Sequence, residues 1–377
     1  MLSAFNFRHD DLRHLHFYMK RIILIVALSV LCSLVLSVFL GDLIAAKVST
    51  WQWVRKYHIV EPRAPLVINT REEVRVNDTN DLVASLNRSK TKVAAVVQTT
   101  PDGSRKLVGS ATVVSADGLF LSSKLGLGDG KLESLRIVMT DGAVYPIESV
   151  ISDPVSNAVL IKTAANGFSV VSFANADEVT AGQRAILLGL EANGQPYFLT
   201  SYISSAEMVG SGVLFSDTPA RIIGLQMVNG TIPGQAVFTA SGNVVGLWDG
   251  GSLIAGNVLK ELTASYFANS SKIVRPTYGF SYIAISADTA KRDKLTAGLR
   301  VTKPVDGKLP AVLISSPAAK AGLQEGDIIT KIGDVNMASV SFPDATLFAQ
   351  KPGVAVQMEV YRGLGTLSLS VIPGANP

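Results

Sequence analysis

The spacing of apolar and polar residues divides the chain into stretches of different character. Ile22 to Gly41 carries no charge and is bounded by Lys20-Arg21 and Asp42. At about 1.5 Å per residue such a run makes about 30 Å of helix, enough to span a bilayer, and it predicts a transmembrane segment. Trp51, Trp53 and Tyr57 follow, either as an interfacial aromatic belt or as packing against a neighbouring subunit. A polar linker containing Pro62 and Pro65 runs on to about Asn80. From Thr91 the pattern becomes short β-rich runs separated by turn dipeptides. Lys106–Ser115 and Leu119–Ser122 flank Asp117-Gly118, and Leu135–Met139 and Val144–Ile151 flank Asp141-Gly142, both hairpin signals. Ala158–Lys162, Ala185–Leu190, Phe198–Ser204, Gly212–Phe215, Ala236–Phe238 and Val244–Trp248 continue the series. Regular short strands over such a length predict antiparallel barrels or a sandwich. Asn257–Ala268 reads as a helix.

The last part of the chain is punctuated more sharply. Ser316 is an N-cap, Pro317 stands at the first helical position, and Gly322 suits a left-handed C-cap. Glu325-Gly326-Asp327 is a turn before the apolar Ile328-Ile329 strand, which Gly333-Asp334 closes. A final helix is predicted over Pro343–Gln350, with Ser341 and Asp344 as a capping box.

Composition narrows the chemistry. The chain is 47% hydrophobic and 17% charged, apolar for a purely soluble protein. Its net charge is +4, with Arg8, Arg13, Lys20 and Arg21 ahead of the apolar run. The positive-inside rule then places the N-terminus in the cytoplasm and everything after the span outside it. The run is long for a cleaved signal peptide and no A-x-A site follows, which favours a retained anchor. No basic stripe interleaved with aromatics is present, so nucleic acid is not an expected partner. Cys32 is the one cysteine, which excludes an intrachain disulfide and a thiol nucleophile in the β-rich region. The histidines are His9, His14, His16 and His58; beside Arg8 and Arg13 the first three read as a solvated face, so no metal and no cofactor are expected.

The stretch Ser315–Gly333, with Thr277-Tyr278-Gly279-Phe280 upstream in the x-φ-G-φ form of a carboxylate-binding loop, resembles the PDZ domain of bacterial HtrA-type serine proteases. The resemblance extends backwards to about residue 80. Leu107–Leu121 is similar to the family's strand pair ahead of its catalytic histidine. Asp153–Lys162 matches the segment around its aspartate, and Thr231–Val237 with Ser241–Leu247 matches its nucleophile loop and the hairpin beyond. The resemblance implies a mostly β fold, a trypsin-like double β-barrel followed by a PDZ domain and preceded by one N-terminal transmembrane helix. The implied boundaries are a cytoplasmic N-terminus (1–21), a transmembrane anchor (22–41), a juxtamembrane linker (42–79), the trypsin-like domain (80–270) and the PDZ domain (277–373).

Placed on this chain, the family's triad positions fall on Leu125 (Lys124 if the alignment slips by one), Asn157 and Pro233. A Ser-His-Asp enzyme needs a base and an orienting carboxylate, and its oxyanion hole uses the nucleophile's own N–H, which proline lacks. Gln235 adds bulk on the same loop. Ser122 and Lys124 share a strand face, but a solvated strand end explains them better than a dyad. The expectation is therefore a pseudoprotease, not an enzyme, anchored in a bacterial inner membrane through Ile22–Gly41 with its bulk in the periplasm. It would bind the C-termini of peptides or unfolded proteins as a scaffold or adaptor in protein quality control. The expected binding residues are Tyr278, Gly279, Phe280, Ser281, Tyr282 and Ile283 along the loop and next strand, with Leu347 on the opposite wall, although Gly279 also fits as a purely conformational glycine. The resemblance also implies a homotrimer. The alternatives are a residual serine endopeptidase with a non-standard site, or a purely structural platform for oligomerisation.

Overall fold

The structure is a computed structural model that describes residues 19–33, 78–175, 179–205, 212–219, 223–226, 229–305, 307–340 and 343–376. Residues up to Arg75 and those from Val76 onward form two separate compact units. In the first, only helix α1 (19–33) is described, exposed along its length. Among the described residues no helix is long and apolar enough to cross a membrane. The rest of the expected span, 34–41, the aromatic cluster at Trp51, Trp53 and Tyr57, and all four histidines lie outside the described residues.

The second unit opens with helix α2 (Asp78–Ser89), where the sequence pattern had suggested the end of a linker. An antiparallel sheet follows, built from β1 (Val93–Thr99), β2 (Arg105–Ser115), β3 (Leu119–Ser123), β4 (Leu135–Val138), β5 (Val144–Pro146), β6 (Ser149–Ser152) and β7 (Ala158–Lys162). Its spatial order is β5-β4-β1-β2-β3-β7-β6. Asp117-Gly118 turns β2 into β3 as the dipeptide predicts, with Gly118 at φ +88°. The expected strand Val144–Ile151 is instead two strands. Its first half pairs with β4 and its second with β7; the break comes at Pro146, whose nitrogen has no hydrogen to continue a ladder.

A second sheet has the order β11-β9-β8-β12-β13-β14. It is built from β8 (Arg184–Leu190), β9 (Pro196–Ser205), β11 (Gly224–Leu225), β12 (Gln235–Phe238), β13 (Val244–Trp248) and β14 (Leu253–Ala255); β10 (Leu214–Phe215), between β9 and β11 in the chain, belongs elsewhere. One half-barrel and one nearly closed barrel result. Their shared core joins Val93, Leu121 and Leu160 of the first sheet to Leu187, Val237 and Leu247 of the second, with Val258, Leu259 and Leu262 of helix α3 (Gly256–Ala268) packed on it.

Strand β15 (Arg275–Thr277) leads into the last sheet and pairs with β22 (Gly374–Asn376) at the chain's end. That sheet runs β10-β16-β17-β18-β20-β21, with β19 on β18. Its strands are β16 (Ser281–Ile285), β17 (Gly298–Val301), β18 (Ile328–Ile332), β19 (Val335–Asn336), β20 (Val356–Arg362) and β21 (Gly365–Val371). The helices are α4 (Ala287–Asp293), α5 (Pro317–Lys320) and α6 (Pro343–Phe348). Ser316 caps α5 by accepting from the Ala319 N–H, Pro317 stands at its start and Gly322 takes φ +86°. α6 is shorter than the expected Pro343–Gln350, and Ser341 of the predicted capping box lies outside the described residues.

Arg275 ties these parts together. Its guanidinium forks onto Asp153, Nε to Oδ1 at 2.9 Å and Nη2 to Oδ2 at 3.0 Å, and Nη2 also donates to the Val258 carbonyl at 3.2 Å. Both side chains are buried, at 1% and 0% exposure. The guanidinium also stands 5.4 Å from the ring centre of Phe348 in α6, within cation–π reach. Removing one member of a buried pair leaves an uncompensated charge, at a cost of about 3–5 kcal/mol. Asp153→Ala and Arg275→Ala should each lower stability on that scale in urea unfolding of the full chain. The double change Asp153→Leu/Arg275→Met should recover most of the loss.

Candidate functional site

Leu125 sits in the 3-10 turn Lys124–Leu127 that follows β3 and is 57% exposed. Backbone bonding joins this turn to the segment carrying Asn157, since the Lys124 N–H donates to the Asn157 carbonyl at 2.8 Å. The Asn157 amide donates to Asp249 Oδ2 at 3.2 Å. The Lys124 ammonium points back to the Asp153 carbonyl at 3.5 Å, away from Ser122, whose hydroxyl donates to the Ser110 carbonyl at 2.6 Å. Around Gly250, next to Asp249, a Cβ would stand 3.1 Å from Leu125 Cδ1 and 3.6 Å from Pro233 Cγ. The fold thus gathers the three positions singled out from sequence at one place. Pro233 is fixed by its carbonyl, which accepts from Ser110 N–H at 2.9 Å; the next N–H, of Gly234, donates to the Trp248 carbonyl at 2.7 Å. Gly234 has φ +83°, and a Cβ there would stand 2.0 Å from the Ser110 oxygen. Gln235 is buried and its Oε1 accepts from the Ile232 N–H at 3.2 Å.

The second site is the loop entering β16. Tyr278, Phe280, Ser281 and Tyr282 have buried side chains, Ile283 is half-buried, and the Tyr278 hydroxyl donates to the Leu347 carbonyl at 2.8 Å. Burial, with the Asp217 carboxylate adding to it, pushes the Tyr278 phenol far above its ordinary range, so it stays a neutral donor. Leu347 itself is fully buried in the core formed with Tyr278, Phe280 and Tyr282.

The backbone of the loop faces the other way and is occupied. Asp217 Oδ1 accepts from the N–H of Tyr278 at 2.7 Å and of Gly279 at 3.1 Å. The Phe280 N–H donates to Ser216 Oγ at 3.1 Å, and the Ser216 N–H returns a bond to the Phe280 carbonyl at 2.9 Å. Leu214 and Phe215, expected as a barrel strand, pair antiparallel with Tyr282 and Ser281 as β10. Ser281, expected to donate into the groove, instead gives its N–H to the Ala311 carbonyl at 2.8 Å, because successive strand amides point to opposite sides. The signal for this arrangement was the apolar run ending in Ser216-Asp217, a strand with carboxylate chemistry at its end; its partner lay far along the chain.

Gly279 serves both geometry and packing. Its φ is +78°, and a Cβ would stand 2.5 Å from Ser316 Cβ at the cap of α5. Gly279→Ala therefore meets left-handed strain, about 1–3 kcal/mol, and a clash. It should lower the unfolding midpoint and speed amide exchange at residues 278–281.

Comparison with known proteins places this architecture. A family model described as PDZ domain matches residues 285–372. Serine protease HTRA1 of Xenopus tropicalis is 24% identical over 286 residues, 70% of this chain and 59% of its own length. A probable periplasmic serine endoprotease DegP-like from Pseudomonas fulva is 28% identical over 284 residues, 72% of this chain and 56% of its own. The chain thus spans well under two thirds of the length of these relatives. Among solved structures, the HtrA-type protease AlgW with tripeptide aligns with a TM-score of 0.53 at 19% identity, covering 78% of this chain and 97% of that one. AlgW with decapeptide aligns with a TM-score of 0.52 at 18% identity, covering 78% and 99%. The relatives are named serine proteases and endoproteases, which overturns the expectation that this chain is not an enzyme. The PDZ match, the HtrA and DegP-like relatives and the HtrA-type neighbours together support membership of the HtrA-type family, a trypsin-like fold joined to a PDZ domain.

Proposed function

We propose that the groove between the Tyr278–Phe280 loop, β16 and α6 captures the C-termini of peptides or unfolded proteins. The observation that carries this is the loop's present occupancy: three successive amides already hold a carboxylate and a hydroxyl, and the β16 edge already holds an antiparallel strand. A free C-terminus offers the same pair of features, an anion for the loop and a strand for the edge. Tyr278, Gly279 and Phe280 would supply the amides, Ser281, Tyr282 and Ile283 the edge, and Leu347 the apolar floor. AlgW, a neighbour in fold, is named with bound peptides. DegP-like relatives are named periplasmic, which supports extracytoplasmic action in protein quality control. In this reading Ile22–Gly41 tethers the chain to the membrane with the N-terminus inside, and copies assemble as homotrimers.

A second reading, endopeptidase action at the barrel site, is favoured by the relatives' names and by the convergence of Leu125, Asn157 and Pro233 near Asp249. None of those three side chains is an acid, a base or a nucleophile. Hydrolysis of unfolded casein by the full chain would therefore have to be traced to neighbours such as Ser122, Lys124 or Asp249 by alanine substitution.

The groove is tested with the full chain and a fluorescein-labelled peptide Gly-Val-Leu-Phe-Ser carrying a free C-terminal carboxylate. Saturable binding is expected. Hydrogen bonds to a charged group contribute about 1.5–3 kcal/mol, so amidating the peptide should weaken binding about ten- to a hundredfold. Binding indifferent to amidation would overturn the groove reading.

A further inference from the structure

The bonds that make the groove plausible come from the chain itself. Thr218 N–H donates to the Phe215 carbonyl at 3.2 Å, so the backbone turns away at the place where a bound peptide would end. No terminal carboxylate is available there, and two side chains take its place. Ser216 Oγ receives the Phe280 amide, Asp217 Oδ1 receives those of Tyr278 and Gly279, and Ser216 Oγ donates to Asp217 Oδ1 at 2.7 Å, locking the two together. Behind them Leu214 packs on the core that contains Tyr282 and Leu347. Strand, apolar anchor and anion follow one another in the order in which a C-terminal peptide would present them.

We infer that Leu214–Asp217 is a built-in ligand of this groove, with the Asp217 carboxylate imitating a peptide C-terminus, and that an external C-terminus must displace it to bind. This rests on the groove reading above and adds its regulation. The internal strand is short, two residues paired on one edge, so it is suited to exchange. An intramolecular competitor acts at an effective concentration of the order of millimolar, and an external peptide's affinity falls by the fraction of time the groove stands open. Asp217 is the residue to test, because it lies on a turn outside the cores and holds two of the three loop amides.

The experiment compares the full chain with its Asp217→Ala and Asp217→Asn variants in two measurements: binding of the labelled Gly-Val-Leu-Phe-Ser peptide, and hydrogen exchange of the Tyr278–Phe280 amides without peptide. Unchanged unfolding midpoints establish that the fold is retained. Asp217→Ala should bind the peptide at least about tenfold more tightly and lose amide protection. Asp217→Asn, which keeps an acceptor oxygen, should fall between. Tighter binding with exposed amides establishes the internal ligand. Equal affinity with unchanged protection overturns it while leaving the groove reading in place. If neither protein binds the peptide yet the variant's amides become exposed, the internal contact stands and the external-peptide reading falls. Should Asp217→Ala lower the unfolding midpoint, the exchange of Asp217→Asn decides, and protection equal to the unmodified chain at both residues 278 and 279 with unimproved peptide binding counts against displacement.

Discussion

The buried Asp153–Arg275 pair is the constraint on which the arrangement of the chain depends. Its members lie far apart in sequence, yet each is nearly inaccessible and they meet through two parallel bonds. A buried carboxylate at Asp153 without a cation would be costly even with the Ser156 hydroxyl bonded to it, and so would a buried guanidinium beside Val258 and Phe348 without a carboxylate. Arg275 is also the first residue of β15, the strand that begins the PDZ-like part. Through Val258 and Phe348 the same side chain touches a helix of each part. One cation thus ties the link between β6 and β7 to α3 and α6. Among the described residues its Nη1 is buried without a partner, a cost that the surrounding bonds must exceed.

That constraint reaches both candidate sites. Asp153 opens the segment whose Asn157 carbonyl receives the Lys124 amide, so the ion pair holds the base of the Leu125 turn as well as the domain junction. On the far side, Phe348 follows Leu347, whose carbonyl anchors the Tyr278 hydroxyl behind the carboxylate loop. A second tie is made of strand, with β10 leaving the loop between β9 and β11 to complete the edge of the PDZ-like sheet. An ion pair and a two-residue strand differ in permanence. The first is desolvated and bidentate, whereas the second is a short pairing on one edge.

What could be read from sequence was whatever depends on near neighbours. Asp117-Gly118 forced the β2–β3 turn, Ser316-Pro317 started α5, and Gly322 and Gly333 took the left-handed conformations that their positions imply. Helix α3 begins within a residue of its expected start. The unread features depend on distance. Val144–Ile151 carries Pro146 in its middle, the one local sign of a break, and only the partners β4 and β7 show that its halves serve two neighbours. Leu214–Phe215 is a strand in either assignment, and nothing in its own residues says which sheet it joins. Nothing near Asp153 in sequence marks it as one half of a buried ion pair, because its cation arrives more than a hundred residues later. Leu125, Asn157 and Pro233 are distant in sequence, and only the fold shows that they lie near one another around Asp249 and Gly250.

Both candidate sites meet the same physical demand. A loop shaped to aim backbone amides at an anion leaves donors that must find partners in any state where the anion is absent. At the PDZ-like loop, Ser216 and Asp217 satisfy three such amides. At the barrel loop, the Gly234 amide finds the Trp248 carbonyl, and the Gln235 side chain turns back to receive the Ile232 amide. The two solutions differ in what would have to move. The PDZ-like donors are held by a turn that another strand and carboxylate could replace in kind. The Gly234 donor is held by backbone of β13, inside a ladder whose other bonds would break with it. Exchange of partner is therefore local at the loop entering β16, whereas at the barrel loop it would disturb the sheet.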